Sequence, residues 1–226
     1  MQVYNGVEIV TKKITHTEKQ GEIEPDSDFI AEDFCLQAIV YIEKILNTQR
    51  VPIIVGGSNS YIEKLVEDSV FMFKYKYNTC FIWIDVEQIV LNRKVEMRVD
   101  QMVNIFIPDA DYTKGMRRYI GVPEMDRYLR EETNIDEDDE SKKMLLQSSI
   151  AKIKRNTRLL ICHQLDKIQR LINEKMWLVH HIIATDVSKR DRKEAIDEAW
   201  MNTVLQPCLD IVKRFLKSDD HNMIIE

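Results

Sequence analysis

Cysteine is scarce in this sequence and is not arranged for metal binding. The chain has four cysteines in 226 residues, and no two of them form a Cys-x-x-Cys pair. They are Cys35, Cys80, Cys162 and Cys208. This spacing excludes a zinc finger built from cysteines. Because each of them lies within an apolar segment, we predict buried free thiols in a reducing compartment.

Long hydrophobic runs and an excess of positive charge are also absent. No apolar run approaches the ~20 residues of a membrane-spanning helix. The N-terminal sequence Met-Gln-Val-Tyr-Asn-Gly has neither the apolar core of a signal peptide nor the Ser- and Arg-rich character of a transit peptide. The formal charge of -6 argues against a surface coated with basic charge for nucleic acid, although it leaves room for a local basic face. We expect a soluble intracellular protein.

The residues that are present are typical of a globular domain. Hydrophobic residues make up 44% of the chain and charged residues 31%, which is not the composition of a disordered protein. A chain of 226 residues can bury one good core, with at most a small appended subdomain. We find no internal repeat and no low-complexity segment.

Three short apolar runs without alternation predict strands that are covered on both faces, as in a parallel sheet. The runs are Val51–Val55, Thr79–Ile84 and Ile182–Thr185. Apolar residues at helical spacing predict helices over about 28–49, 87–103 and 190–216. Because strands alternate with helices, the sequence predicts the α/β class.

The middle of the chain contains no convincing strand and is predicted to be mostly helical. We expect residues 1–110 and 176–226 to form an α/β core, interrupted by a helical insertion over 111–175. The acidic run Glu131–Glu140 lacks a spaced, rigid frame of charges, so we interpret it as a solvated loop and not as a metal site. After it, apolar residues up to Leu171 mark one long amphipathic helix or a pair of helices.

The double glycine Gly56-Gly57 follows the first apolar run, and Ser58 then opens an amphipathic segment. We interpret this pattern as a buried strand, a tight turn and a helix capped by Ser58. Such a turn lets backbone amides and a hydroxyl approach a phosphate at the positive end of a helix. On its own the pattern is only moderately specific, because many α/β proteins use Gly-Gly simply to turn.

Two further motifs lie on either side of this one. The first is Met1–Gly6 with Thr11-Lys12-Lys13 just after it, and the second is Asp111–Met125. In this order the three motifs resemble the isopentenyltransferase family, whose enzymes move a dimethylallyl group onto the N6 amine of adenine. The resemblance covers nearly the whole chain. It implies a P-loop-NTPase-like parallel sheet flanked by helices, with a mostly helical insertion.

The resemblance also implies a chemistry, with dimethylallyl diphosphate and an adenine nucleotide as substrates and Mg²⁺ as cofactor. Cations and hydroxyl donors must meet the departing diphosphate, a base must accept the amine proton, and the pocket must exclude water. Arg118 occupies the position of the family arginine that contacts the diphosphate, and Ser58 matches the hydroxyl residue after the double glycine. A bidentate guanidinium suits a diphosphate better than a point charge does.

The candidate site residues follow from these matches. The catalytic candidates are Arg118 and Lys114, and the substrate-binding candidates are Gln2, Tyr4, Thr11, Lys12, Gly56, Gly57, Ser58, Arg98, Asp100 and Arg117. The alternatives are a solvated basic turn around Arg118, a plain N-cap at Ser58 and a helix-surface ion pair at Asp100. We predict no metal ligands, since no carboxylate sits at metal-ligand spacing beside His180-His181, which we interpret as structural or exposed.

A second group of cations lies on the helical stretch from residue 152 to residue 170. Its members are Lys152, Lys154, Arg155, Arg158, His163, Lys167 and Arg170. Charges of this kind usually form the solvated face of a helix, but some could reach the phosphates of a nucleotide. A helical nucleic-acid-binding module that uses this stretch is a hypothesis of a different class.

One subdivision of the family is visible in the sequence. The tRNA-modifying members typically follow Ile/Val-Gly with Tyr-Arg-Gln, whereas this chain has Val122-Pro123-Glu124 after Gly121. This resembles the plant-type members that act on free adenine nucleotides in cytokinin biosynthesis. The missing zinc finger and the acidic net charge point the same way. We therefore expect a monomer in plastid or cytosol that binds neither a membrane nor nucleic acid, with AMP, ADP and ATP all open as acceptors.

The 226 residues depart from the family pattern at the phosphate loop. No Gly-rich loop ending in Gly-Lys-Ser/Thr occurs in them, and Met1 falls inside the family element whose aspartate serves as general base. The usual magnesium ligand is missing with that loop. Two hypotheses remain, an incomplete sequence of an active adenylate isopentenyltransferase and a short, catalytically inactive protein that binds nucleotides or partners. A tRNA-modifying enzyme is a further alternative. We expect no prenyl transfer from the 226 residues alone.

Overall fold

The structure, a computed structural model, describes residues 29–103, 120–121, 123–125, 128, 139–190 and 192–222. In chain order the elements are α1 (Ala31–Leu46), α2 (Asn59–Glu67), α3 (Phe73–Lys76), β1 (Phe81–Asp85), α4 (Gln88–Val103), α5 (Asp139–Asn173), β2 (Val179–Ile183), α6 (Thr185–Lys189), α7 (Lys193–Trp200), a π-helical segment (Met201–Leu205) and α8 (Gln206–Asn222). The chain divides into a first compact unit of residues 1–64 and 95–163 and a second of residues 65–94 and 164–226. The boundaries predicted for the helical insertion stay a prediction.

Helix α1 of the first unit confirms the helix predicted over about 28–49. At its start the Asp33 carboxylate accepts a hydrogen bond from the backbone N–H of Ile30 at 3.0 Å, which satisfies a donor that the helix itself cannot use. The ring of Phe34 packs against the ring of Tyr61 on α2, with 5.5 Å between centroids. An apolar face of α1 therefore holds the helix that follows the Gly-Gly-Ser motif.

The strand predicted at Val51–Val55 is wrong. These residues form no strand and pair with neither β1 nor β2. Ile53 is 75% exposed and Val55 is 89% exposed, so the run is not buried either. A strand gains its stability from hydrogen bonds and side-chain pairs with a neighbouring strand, and within the described residues no strand pairs with this run.

The second unit contains a two-stranded parallel sheet, which confirms the predicted parallel pairing. Strands β1 and β2 pair from Phe81 opposite Val179 to Asp85 opposite Ile183. Strand β1 lies where it was predicted, whereas β2 begins three residues earlier than the predicted Ile182. The apolar pattern missed this start because the two histidines at 180 and 181 lie within the strand.

Of the two faces on which these strands were predicted to be covered, the described helices of this unit cover one. Ile182 is buried in a core with Val204 and Ile211, which lie on the π-helical segment and α8. Its neighbour Ile183, whose side chain points to the opposite face, is 65% exposed. The helices that the structure describes in this unit therefore cover one face of the sheet.

Helices α4 and α5 share the core of the first unit. Val99 of α4 and Ile153 of α5 are buried together with Met125, which is 1% exposed. Helix α5 runs for 35 residues, so the stretch predicted as one helix or two is a single helix. Residues 131–138 of the predicted acidic loop lie outside the described residues.

Among the helices of the described part, none is long and apolar enough to cross a bilayer.

The single helix predicted over 190–216 is instead a series of helical segments. Arg190 has extended backbone angles and separates α6 from α7. A π-helical segment then precedes α8, which has Pro207 in its first turn. Proline lacks the N–H that would continue the α-helical pattern, and the wider turn accommodates this loss.

None of the four cysteines forms a disulfide, which confirms the prediction of free thiols. Only Cys35 among them is fully buried, and the other three are half-buried. Burial raises the pKa of the Cys80 and Cys208 thiols, with the nearby Cys208 adding to the effect on Cys80. These thiols are therefore protonated at neutral pH and poorly nucleophilic.

Candidate substrate-binding site

The structure describes five of the residues predicted for the site. They are Gly56, Gly57, Ser58, Arg98 and Asp100, all in the first unit. The other candidates, which are Gln2, Tyr4, Thr11, Lys12, Lys114, Arg117 and Arg118, lie outside the described residues.

The chain bends at Gly57, as predicted, and the Gly57 carbonyl oxygen accepts from the backbone N–H of Asn59 at 3.0 Å, but neither Gly56 nor Gly57 has a positive φ. Gly121 is the one glycine of the described residues with a positive φ, so Gly56 and Gly57 have backbone angles open to any residue. A side chain built at either position would meet no atom within 4 Å. The fold as described therefore does not require glycine here, and the space beside both backbones is open.

Ser58 stands at the start of helix α2, as predicted. Its carbonyl oxygen accepts hydrogen bonds from the backbone N–H groups of Tyr61 at 2.9 Å and Ile62 at 3.3 Å. Ser58 is exposed, and the first turn of α2 contains no acidic residue. No carboxylate in its own first turn offsets the partial positive charge at the N-terminus of this nine-residue helix. An anionic oxygen is therefore favoured there.

Asp100 lies in an ion pair between α4 and α5. Its carboxylate accepts from Lys154 Nζ at 2.7 Å, and one turn earlier Glu96 accepts from Arg158 at 2.8 Å. Asp100 therefore shows the helix-surface ion pair that the sequence allowed as an alternative. Two cations of the stretch from residue 152 to 170 are engaged in the same way.

Arg98 on α4, like Asn92 on the same helix, has a buried polar atom without a hydrogen-bond partner among the described residues. Its Nε is withdrawn from solvent and makes no hydrogen bond within the part of the chain that the structure describes. Buried guanidinium donors are nearly always paired. Arg98 is therefore the described candidate with a donor left to satisfy.

Glu124 is a residue of this region that the sequence did not identify as functional. Its Oε2 accepts from the backbone N–H of Gly121 at 2.7 Å, and its Oε1 accepts from Asn156 Nδ2 at 2.7 Å. The local half of this arrangement could have been predicted, because a glutamate three residues after a turn residue and next to a proline is typical of a helix start. Nothing in the sequence predicted the contact with Asn156.

His181 has a carboxylate beside it, contrary to the prediction. Asp85, at the end of β1, lies with its Oδ2 3.0 Å from His181 Nε2, so a carboxylate does lie beside this histidine. The imidazole also stacks on Trp83, with 4.3 Å between ring centroids and 15° between planes. The sequence missed this pair because the two residues are 96 positions apart. No group of three or more metal-ligating side chains occurs among the residues described.

Comparison with known proteins places this geometry in a family. The model of the IPP transferase family matches residues 2–74. The chloroplastic adenylate isopentenyltransferase 5 of Arabidopsis thaliana is 46% identical over 99% of this chain and 72% of its own length, and adenylate isopentenyltransferase 3 of that plant is 39% identical over 96% and 69%. The tRNA isopentenylpyrophosphate transferase of Bacillus halodurans, a solved structure, superposes with a TM-score of 0.68 at 22% identity, over 97% of this chain and 88% of the other. This likeness shows the P-loop-NTPase-like α/β fold, and the identity to the plant enzymes shows that the chain belongs to the adenylate isopentenyltransferase family.

Proposed function

We propose that this protein transfers a dimethylallyl group from dimethylallyl diphosphate to the N6 amine of adenine in a free nucleotide, a reaction of cytokinin biosynthesis. The observation that carries the proposal is the 46% identity to an adenylate isopentenyltransferase across 99% of the chain. The Gly-Gly-Ser motif, which stands at an open helix start, supports it. In the reaction the bond between C1 of the allyl group and oxygen breaks, a bond from N6 to C1 forms, and N6 loses a proton.

The diphosphate would bind where Gly56 and Gly57 leave their backbones open. Small residues at such a position allow an anion to approach backbone N–H groups closely, and the unopposed positive end of α2 favours its charge. The Ser58 hydroxyl adds a donor that can turn toward the same oxygen. This explains why the sequence has two glycines at a place where the described fold does not demand them.

Arg118, Lys114 and Arg117 would meet the charge that develops on the departing diphosphate. Arg118 is the residue that we propose for the bidentate contact, because its planar guanidinium matches two oxygens at once. Such contacts accelerate the reaction when they are stronger in the transition state than in the substrate complex.

Mg²⁺ would enter this site with the diphosphate. Phosphate oxygens and water are its preferred ligands, and proteins usually add only one or two carboxylates. The described residues hold no cluster of three or more side chains fit to bind a metal, so the diphosphate oxygens and water would supply most of its ligands.

The acceptor that we propose is a free nucleotide and not tRNA. Val122-Pro123-Glu124 stands in place of the tRNA-type sequence, and the identity falls from 46% with adenylate isopentenyltransferase 5 of Arabidopsis thaliana to 24% with tRNA dimethylallyltransferase 2 of the same plant. The nucleotide phosphates need cations. Because Lys154 and Arg158 are paired with α4, Lys152 and Arg155 are the better candidates of that stretch.

A competition assay tests the proposal. The 226-residue chain, and the same chain preceded by the N-terminal segment of the Arabidopsis adenylate isopentenyltransferase 5, would be incubated with Mg²⁺, dimethylallyl diphosphate, ATP and undermodified tRNA together. We expect N6-prenylated ATP as the main product of at least one of the two proteins, with mass spectrometry as the readout. Product found chiefly in tRNA would refute the proposal that the acceptor is a free nucleotide. Nucleotide binding without any product would favour the catalytically inactive alternative.

A further inference from the structure

An open groove of about 630 Å³ lies in the second unit between strand β2 and helix α8. Strand β2 contributes His181 and Ile182, and α8 contributes residues between Pro207 and Lys217. The α8 residues recur at intervals of three and four positions, so they share one face of the helix. A volume of this size is in the range that small organic ligands occupy.

The α8 side of the groove carries an excess of positive charge. Lys213, Arg214 and Lys217 line it together with one carboxylate, Asp210, which accepts from Gln206 Nε2 at 3.0 Å. Within the part of the chain that the structure describes, neither Lys213 nor Arg214 takes part in an ion pair. The whole chain has a formal charge of -6, so this local charge is opposite in sign to that of the protein. Such a patch attracts an anion.

Apolar and planar side chains line the groove beside these cations. Ile182 and Ile211 belong to the buried core of the second unit and also line the groove. The His181 side chain is 45% exposed, and its imidazole is held by the stack on Trp83 and the contact with Asp85. The groove therefore offers a surface for the organic part of a ligand as well as charges for an anionic part.

We propose that this groove binds a phosphorylated organic molecule, with its phosphate on Lys213, Arg214 and Lys217 and its organic part on His181 and Ile182. A guanidinium matches two phosphate oxygens at once, and the two ammonium groups add charge. The apolar lining favours an organic phosphate over an inorganic one, because burial of apolar surface adds binding free energy. None of these residues is assigned to the transfer reaction, so the inference does not depend on the proposed function.

A nuclear magnetic resonance titration of the ¹⁵N-labelled 226-residue chain tests the inference at the groove itself. The probes are ATP, dimethylallyl diphosphate and inorganic pyrophosphate, with adenosine as the control that lacks phosphate. We expect saturable shifts of the backbone amides of His181, Ile182 and Arg214, with a Kd below about 1 mM for at least one of the two organic phosphates. Pyrophosphate should bind more weakly, and adenosine should not bind. The tighter of the two organic phosphates identifies the kind of organic group that the groove accepts.

Four variants test the charges, each read at the same amides. Lys213→Ala and Arg214→Ala should each weaken binding at least ~5-fold. Arg190→Ala removes an exposed arginine of the same unit that does not line the groove, so this matched control should bind as wild type does. Asp210→Asn should tighten binding at least ~2-fold, because it removes a negative charge from the groove and keeps an acceptor for Gln206.

The contrary results are equally specific. Absence of shifts at the groove amides, or unchanged affinity in both Lys213→Ala and Arg214→Ala, would show a solvated helix face and overturn the inference. Shifts confined to Gly57 and Ser58 would also overturn it, while leaving the proposed diphosphate site intact. Equal affinity for pyrophosphate and the organic phosphates would refute the role of the apolar lining. Affinity for single-stranded oligonucleotides that rises with their length and exceeds that for ATP would refute a small ligand in favour of nucleic acid.

Discussion

Replacing Glu67 tests how much stability a half-buried, hydrogen-bonded carboxylate contributes to the second unit. Its Oε1 accepts from the indole N–H of Trp177 at 2.8 Å, and its Oε2 accepts from Lys74 Nζ at 2.6 Å. Trp177 is buried, and its ring stacks on Phe81 with 4.2 Å between centroids. Glu67 thus satisfies an indole donor that is largely withdrawn from water.

The magnitude follows from what each variant leaves unpaired. Glu67→Ala leaves the indole N–H of Trp177 without an acceptor, which lowers the free energy of unfolding by about 1–3 kcal/mol for a buried donor. The Lys74 side chain is 48% exposed, so its ion pair adds at most about 1 kcal/mol. We therefore expect a loss of about 2–3 kcal/mol for Glu67→Ala and less than about 1 kcal/mol for the control Lys74→Ala. Glu67→Gln keeps an acceptor for the indole and should lie between them.

The same carboxylate should make stability depend on pH. Burial alone would raise the pKa of Glu67, but hydrogen bonds from Lys74 and Trp177, with the charges of Lys74 and Lys175, lower it below the ordinary value. Because the folded-state pKa is depressed, the stabilisation is present above the unfolded-state pKa of about 4.3 and is lost as the pH falls through the folded-state pKa.

Urea denaturation followed by tryptophan fluorescence measures both effects. The difference in unfolding free energy between wild type and Glu67→Gln should be largest near neutral pH and should shrink as the pH falls below about 4. A Glu67→Ala variant within about 0.5 kcal/mol of wild type at neutral pH would refute the reasoning, since that is the range of an ordinary surface substitution. A difference that does not change with pH would refute the ionic part alone.

Three further predictions concern the site and its core. Arg118→Ala should lower kcat/KM at least ~100-fold, mostly through kcat, and Arg118→Lys should recover only part of this loss. Steady-state kinetics measure both effects, and a loss of only a few-fold would indicate a solvated turn. Met125→Ala should lower the free energy of unfolding by about 2–4 kcal/mol in urea denaturation, because the Met125 side chain is only 1% exposed. A loss under about 1 kcal/mol would show that the core closes around the cavity. Gly57→Ala should leave the free energy of unfolding unchanged or raise it by up to about 1 kcal/mol. It should also weaken the binding of dimethylallyl diphosphate, which isothermal titration calorimetry measures. Unchanged binding would argue against the open backbone as a diphosphate site.

The helices were predictable because their signal is local. Helices α1 and α4 bury one side, and the recurrence of apolar residues along the chain reports that side directly. Strands were less predictable because their stability depends on a partner. Val51–Val55 has the composition of a buried strand but lies unpaired, and β2 includes His180 and His181, which no apolar pattern selects.

The site was predictable only in its local parts. The start of α2 after Ser58 follows from capping residues and periodicity, and the structure has it there. The contacts of Glu124 with Asn156 and of Asp85 with His181 join residues 32 and 96 positions apart. No spacing rule relates such residues, because the fold alone brings them together.

The α4–α5 ion pairs show how a long-range contact can change the meaning of a sequence pattern. Glu96 and Asp100 are one helical turn apart on α4, and Lys154 and Arg158 are one turn apart on α5. Glu96 contacts Arg158, and Asp100 contacts Lys154. This reversed order requires the two helices to run antiparallel. A row of cations that resembles a nucleic-acid or phosphate surface in the sequence therefore serves, on this face, to join two helices. Lys152 and Arg155 lie exposed on the same helix and belong to neither of these two ion pairs.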